Sequence, residues 1–290
     1  MNKITKTLII SSITNIILSL FKVIFGFFGK CNSLIADGVH SLSDLLTDFI
    51  AIVGNKMSMK PADDKHPFGH GKIEYLTSLI IGIIIIILGF SLIYNAFNKE
   101  IVIPNLTILI VSVVTIISKY IVSNYIYRKG KKYNNAILLA SSKESKMDVL
   151  TSIFVLISII LMQFSKTLEM IKYTDIITTI IIAIFIIRTG YLVIKENIST
   201  ILDEQVQDEN YLNSINNLIL QLKEIDKIES LYVLKYGHYY KLIGNIIMEE
   251  GITLNKAHEV IDDLEIKLKE FDDKIKYVFI HMEPKEKDLK

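Results

Sequence analysis

The chain has 290 residues, of which 51% are hydrophobic and 22% charged, and its net charge is +1. The apolar residues form blocks of about 20 residues, the length of a membrane-spanning helix, which excludes a soluble protein built around one core. The near-neutral charge gives no reason to expect nucleic acid as a partner. The single cysteine, Cys31, excludes an internal disulfide and a thiolate zinc cluster within one chain.

Six apolar segments predict six transmembrane helices. They cover residues 8–28, 33–57, 75–97, 103–127, 136–164 and 173–195. Lys and Arg accumulate at alternate ends of these segments, at Lys3 and Lys6 and in residues 56–72 and 128–132. By the positive-inside rule these ends face the cytoplasm, so we expect both termini there. The expected location is a prokaryotic cell (inner) membrane.

After about residue 199 the pattern becomes that of a soluble domain. Its predicted elements are a helix with an apolar stripe at 211–222, strands at 228–236 and 240–248, a helix capped by Thr253 and a strand at 276–282. This αββαβ order is typical of an α+β domain with two helices on one face of the sheet. We therefore predict a transmembrane domain at 1–200 and a separate α+β domain at 201–290.

Two pairs of metal-ligating side chains lie inside apolar segments. His40 and Asp44 are four residues apart in the second segment, and Glu144 and Asp148 repeat this spacing in the fifth. Residues i and i+4 share a helix face, so the two pairs can form a four-ligand cage between two helices. A carboxylate in the bilayer costs on the order of 3 kcal/mol, which favours a functional site. One imidazole and three carboxylates suit zinc and admit manganese or iron(II).

The alternative is that these acids only join helices through hydrogen bonds. Lysines available to Glu144 or Asp148 for this purpose are Lys119, Lys143 and Lys146. Asp37 and Asp48 extend the acidic stripe of the second segment, where gating, capping or proton transfer is a more natural role than metal binding. The first segment has a polar face, formed by Ser11, Asn15, Ser19 and Lys22, that can line a hydrated path with the second and fifth segments.

A second candidate set of metal ligands lies in a polar loop. In the loop after the second segment, Pro67 and Gly69 favour a tight turn that brings Asp63, His66 and His70 around a metal, although loop histidines are often only solvated.

The C-terminal domain contains a third candidate set. His281 and Glu283 alternate along a predicted strand, so they share a face and can bind one ion. His258 lies on the second helix of this domain, where an ordinary buried or solvent-facing histidine is the alternative.

Ordered motifs cover nearly the whole chain. They are Ala36-Asp-Gly-x-His40-Ser-x-x-Asp44, His66-Pro-Phe-Gly-His70-Gly-Lys72-x-Glu74, Asp148-Val-Leu-Thr-Ser152 and Ile280-His281-x-Glu283-Pro284. With these motifs and six apolar segments, the chain resembles the cation diffusion facilitator family of divalent-metal/proton antiporters. The resemblance implies a homodimer in the lipid bilayer, each protomer having six membrane helices and a cytoplasmic ferredoxin-like domain.

The resemblance also implies which residues bind metal. These are His40, Asp44, Glu144 and Asp148 in the transport site, Asp63, His66 and His70 in a loop site, and His258, His281 and Glu283 in the C-terminal domain. Lys72 and Asp203 match the positions of an interhelical charge interlock at the cytoplasmic membrane edge. The chain departs from the family pattern at Glu144, where His or Asp is usual.

These features predict a divalent metal efflux transporter, not an enzyme, that exchanges metal for protons by alternating access. Zinc is the expected ion, with manganese, iron(II), cobalt and cadmium as alternatives, and the ion is both substrate and possible regulator. Two other functions are a zinc-dependent hydrolase and a metal sensor. The hydrolase lacks an evident catalytic partner for its metal, and the polar first segment argues against a sensor.

Overall fold

The computed structural model describes residues 3–98, 102–133, 136–164, 171 and 173–285, without the side chains of 3–5, 47–52, 55, 136, 137 and 140. The chain divides into two compact units. The membrane unit comprises Met1–Phe49 and Ile80–Ile194, and the sheet unit comprises Ile50–Leu79 and Lys195–Lys290.

Six long helices correspond to the six predicted segments. They are α1 (Lys3–Phe28), α2 (Asn32–Ser58), α3 (Ile73–Asn98), α4 (Leu106–Lys132), α5 (Ala136–Gln163) and α6 (Thr174–Ile201). Within the described residues, five of them are long and apolar enough to cross a membrane, and α2 is the exception. At 27 residues α2 is one residue longer than α1 and α3, and it carries Asp37, His40 and Asp44. The predicted membrane all-α architecture is confirmed.

The membrane unit buries polar and charged side chains among apolar ones and exposes large apolar side chains. Its buried side chains include Lys22, Asp37, Lys119 and Asp148, whereas Ile87 and others like it are exposed. Lipid is as apolar as these exposed residues, so helices that expose isoleucine and bury serine or lysine suit a bilayer.

Close helix contacts hold this unit together. Helix α4 packs along α5 and α1. A Cβ at Gly190 of α6 would lie only 2.8 Å from the carbonyl oxygen of Gly82 in α3, so this crossing requires glycine.

The C-terminal part of the sheet unit has the predicted αββαβ order. Its elements are α7 (Glu209–Leu220), β1 (Ile225–Tyr236), β2 (Tyr239–Met248), α8 (Leu254–Phe271) and β3 (Ile275–Pro284). The sheet order is β1-β2-β3, with β1 and β2 antiparallel and β2 and β3 parallel. Thr253 caps α8 as predicted, its side chain accepting the backbone N–H of Lys256. Ile215, Leu242 and Leu264 belong to one apolar core formed by both helices and the sheet.

Candidate metal centres

The first candidate centre lies in the membrane unit between α2 and α5. His40, Asp44 and Asp148 each place one ligand atom within 4.8 Å of the others. The i,i+4 spacing sets His40 Nδ1 3.9 Å from Asp44 Oδ2 on one face of α2. Asp148 approaches from α5, so two helices contribute to one cluster. We call these three residues the membrane cluster.

Glu144 lies beside this cluster rather than within it. It is one turn before Asp148 on α5 and lines the same cavity, but its carboxylate is not part of the group of three. Its side chain is exposed. The structure therefore brings together three of the four predicted ligands and leaves the fourth at the cavity wall.

A polar cavity of about 270 Å³ adjoins the membrane cluster. Its walls come from α1, α2, α4 and α5, and they include Ser11, Asn15, Ser41, Asp44, Lys119, Glu144, Ser145 and Asp148. Asn15 Oδ1 on the cavity wall and His40 Nδ1 in the membrane cluster are both buried without a hydrogen-bond partner among the described residues. Burying such atoms is costly unless a partner satisfies them, and both are atoms that bind cations.

Two buried lysines form ion pairs with aspartates of the membrane unit. Lys119 Nζ of α4 lies 2.6 Å from Asp148 Oδ2, and Lys22 Nζ of α1 lies 2.8 Å from Asp37 Oδ2. The hydrogen-bonded alternative suggested for Asp148 thus exists with Lys119. Lys22 also donates a hydrogen bond of 2.8 Å to Ser152 Oγ on α5, so this pair joins three helices.

The other polar residues that the sequence analysis singled out in the membrane segments make different contacts. Ser11 and Asn15 of the first segment line the cavity, whereas Lys22 forms the ion pair with Asp37. Lys146, a suggested partner for the acids, lies 4.4 Å from the ring centroid of Tyr127. The side chain of Asp48 lies outside the described residues.

The second candidate centre is the loop cluster of Asp63, His66 and His70, whose ligand atoms also lie within 4.8 Å of one another. His66 Nδ1 is 3.1 Å from Asp63 Oδ1, and His70 Nε2 is 3.4 Å from Asp63 Oδ2. Gly69 has a φ of 76°, the left-handed conformation that the tight turn requires.

Asp63 organises the loop cluster. Its Oδ1 accepts the backbone N–H groups of His66 at 2.7 Å and Lys65 at 3.0 Å. The hydrogen bond from the His66 backbone lowers the pKa of Asp63, and the two imidazoles act in the same direction. The carboxylate is therefore kept ionised and ready to bind a cation.

Aromatic contacts fix this loop on the sheet. The ring of Phe68 packs edge-on against Tyr277 and Phe279, with centroids 5.6 and 5.7 Å apart. The hydroxyl of Tyr239 donates a hydrogen bond to the carbonyl oxygen of Phe68. Burial raises the pKa of Tyr239 to about 12, so this donor keeps its proton at physiological pH.

Comparison with known proteins identifies the family. The family model of the cation efflux transmembrane domain matches residues 8–202, and that of the cation efflux protein cytoplasmic domain matches residues 207–285. The chain belongs to the cation diffusion facilitator family. It is therefore an integral membrane protein of a family that exports divalent metal cations, and its second domain is of the dimerising type.

Relatives within the cation diffusion facilitator family match over nearly the full chain. The manganese efflux system proteins MneP and MneS of Bacillus subtilis are 27% and 26% identical, over 96% of this chain and 95% and 94% of their own lengths. An uncharacterized transporter of Methanocaldococcus jannaschii is 30% identical over 93% of both chains.

The charge pair suggested by the facilitator resemblance is present in the sheet unit. Lys72 Nζ lies 2.8 Å from Asp203 Oδ1 and donates a second bond of 3.1 Å to the carbonyl oxygen of Ile201 at the end of α6. Lys72 precedes α3 directly, so this contact joins the start of α3 to the end of α6.

The C-terminal ligands suggested by the facilitator resemblance are only partly assembled in one protomer. His281 Nε2 and Glu283 Oε1 are 3.8 Å apart on β3, with His281 70% exposed. His258 is exposed on α8 and, among the described residues, belongs to no group of three ligands. A metal held here needs donors from elsewhere, such as a second protomer.

Proposed function

We propose that this protein exports a divalent metal ion, with manganese as the first candidate, in exchange for protons by alternating access. The observation that carries the proposal is the membrane cluster beside a polar cavity, in a unit that exposes apolar residues to lipid. Ion pairing alone explains Asp148 and Lys119, but it does not explain a buried His40 nitrogen without a hydrogen-bond partner among the described residues.

The choice of ion rests on ligand chemistry and on the relatives. Carboxylates and amide oxygens suit hard ions such as manganese, whereas imidazole also suits zinc and iron(II). With one imidazole, several carboxylates and Asn15 at the cavity, the site favours manganese, as do two relatives that are manganese efflux proteins. Zinc, predicted first from the ligand types, remains the principal alternative, followed by iron(II), cobalt and cadmium.

Exchange with protons follows from the chemistry of buried acids. A carboxylate removed from water needs a cation or a proton to offset its desolvation. A metal that enters the site replaces protons, and protons that enter from the other side release the metal. The same ligands thereby serve both ions in turn.

The two domains and the loop between α2 and α3 have separate roles in this proposal. Residues 1–200 carry transport, and residues 201–290 dimerise and bind regulatory metal through His258, His281 and Glu283. Asp63, His66 and His70 bind metal in the loop between α2 and α3. Both termini face the cytoplasm of a prokaryotic cell, and the protein is not an enzyme. Neither the hydrolase nor the sensor alternative is favoured by relatives that are efflux proteins.

Transport into proteoliposomes tests the proposal directly. Wild type and Asp44→Ala are reconstituted, a pH gradient is imposed, and uptake of manganese, zinc, iron(II), cobalt and cadmium is measured. We expect uptake that needs both the gradient and Asp44. Folded wild-type protein that moves none of these ions under a gradient would refute the proposal.

A further inference from the structure

Lys119 is a charged residue at the midpoint of a membrane helix. It lies about 20 Å along the axis from either end of α4, at a rise of about 1.5 Å per residue. Its side chain is only 3% exposed. A lysine at the centre of a bilayer is energetically unfavourable, so a charge retained there indicates a functional role.

The position of this lysine is fixed by packing. The buried residues of α4 follow helical spacing and form a polar stripe through Ser112, Thr115, Lys119 and Ser123. Ser123 Oγ donates a hydrogen bond of 3.0 Å to the carbonyl oxygen of Ser142, which joins the stripe to α5. Lys119 is therefore held toward the helices that carry the metal ligands.

The ammonium group bridges the two halves of the membrane cluster. It lies 2.6 Å from Asp148 Oδ2 on α5 and donates a hydrogen bond of 3.3 Å to Ser41 Oγ on α2, the residue after His40. A cation that joins an α5 carboxylate to α2 does what a metal bound by His40, Asp44 and Asp148 would do. The ammonium and an incoming metal thus compete for Asp148.

Formal charge gives the lysine a second role. The cavity residues Asp44, Glu144 and Asp148 carry three negative charges when ionised, and Lys119 carries one positive charge. The sum of −2 is what one divalent cation neutralises.

We propose that Lys119 is a tethered cation that holds Asp148 in the metal-free transport site and is displaced from it by the transported ion. The inference rests on the proposed function, because it assigns a role to a residue of the same site. Displacement weakens metal binding, which keeps the ion releasable, and it leaves the ammonium with Ser41 and the polar cavity wall as partners. Lys119 is thus a residue that sets affinity and charge selectivity.

Lys22 provides a matched comparison within the membrane unit. It is also buried and also paired with an aspartate, at 2.8 Å from Asp37. However, neither Lys22 nor Asp37 lines the cavity or belongs to the membrane cluster. Removing its charge tests what a buried lysine does for the fold alone.

The test is equilibrium manganese binding to the full-length protein in lipid nanodiscs at fixed pH. The variants are Lys119→Met, Lys119→Gln, Lys119→Arg, Lys22→Met and Asp44→Asn, each checked for folding by its melting temperature. Glutamine can still donate to Asp148 and Ser41, so it provides an uncharged variant that keeps the local hydrogen bonds. Zinc is titrated in parallel.

We expect the uncharged Lys119 variants to bind manganese about tenfold more tightly or better, because a nearby positive charge no longer opposes the ion. Metal should also raise their melting temperature by more than it raises that of wild type. Lys119→Arg should stay within a few-fold of wild type, as should Lys22→Met.

The outcomes separate this inference from the function on which it rests. Wild-type binding that Asp44→Asn removes, combined with unchanged or weaker binding in folded Lys119→Gln, would overturn the inference and leave the transporter in place. If neither manganese nor zinc binds to wild type in an Asp44-dependent manner, the proposed site itself is wrong and the inference falls with it.

Discussion

The membrane cluster and the loop cluster are similar sets of candidate metal ligands in different surroundings. Each brings three His and Asp ligands within 4.8 Å. In the loop, Asp63 is about half exposed, and its carboxylate already accepts hydrogen bonds from the backbone N–H groups of Lys65 and His66. In the membrane unit, Asp148 is 12% exposed and is neutralised by a lysine from another helix.

The difference shows that access to water determines whether the carboxylates of a metal-free cluster need a positively charged partner. Water and local hydrogen bonds stabilise a carboxylate at the surface, so the loop cluster can stand without a cation. A buried carboxylate without a positive partner is strongly destabilising, so the membrane cluster must hold an ion, a proton or an ammonium. Transport chemistry is therefore expected in the buried cluster and a supporting role in the exposed one.

The largest expected effect comes from removing ligands of the membrane cluster, and the same change in the loop cluster is the comparison. Asp44→Asn with Asp148→Asn should reduce proton-driven metal flux in proteoliposomes by about 100-fold or more, because both helices lose a charged ligand. His66→Ala with His70→Ala should reduce it only a few-fold. Equal losses from the two pairs, in proteins that fold equally well, would contradict the contrast.

A smaller effect is expected from loosening the support of the loop cluster. Tyr239→Phe removes the donor to the Phe68 carbonyl and should lower the stability of the loop by about 1 kcal/mol. Limited proteolysis of the full chain should cut within residues 59–72 faster in this variant than in wild type. The exposed Tyr232→Phe is the matched control, and equal cutting in both variants would show that the Tyr239 bond does not secure the loop.

The smallest expected effect is the pH response of the loop. The fold lowers the pKa of Asp63, so ionised Asp63 stabilises the folded loop. This stabilisation is complete above the unfolded-state pKa of about 3.9 and is lost as pH falls through the lower folded-state pKa. Hydrogen exchange at the His66 amide should thus stay slow at neutral pH and rise in strong acid. Asp63→Asn should remove this pH step, and a step that persists would assign it to another group.

Much of the fold follows from local patterns. Runs of apolar residues predict the membrane helices other than the more polar α2, and alternation with capping residues such as Thr253 predicts the αββαβ order. The i,i+4 spacing also predicts that His40 and Asp44 share a face of α2, because this depends on one helix only.

Contacts between distant elements do not follow from such patterns. The pairing of Lys119 with Asp148 depends on how α4 rotates against α5, and several lysines fit the spacing equally well. Glu144 likewise lies at the cavity wall and not in the cluster, although its spacing from Asp148 matches that of the α2 pair. The parallel pairing of β2 with β3 likewise depends on the path of the chain through α8.

The two lysine–aspartate pairs also impose different demands on biosynthesis. Lys22 and Asp37 lie on consecutive helices, so α1 and α2 can enter the bilayer as a hairpin in which the opposite charges offset each other. Lys119 belongs to α4, and its partner Asp148 is not made until α5 emerges. Until then the buried ammonium of Lys119 lacks its carboxylate partner, so the stable insertion of α4 depends on the arrival of the next helix.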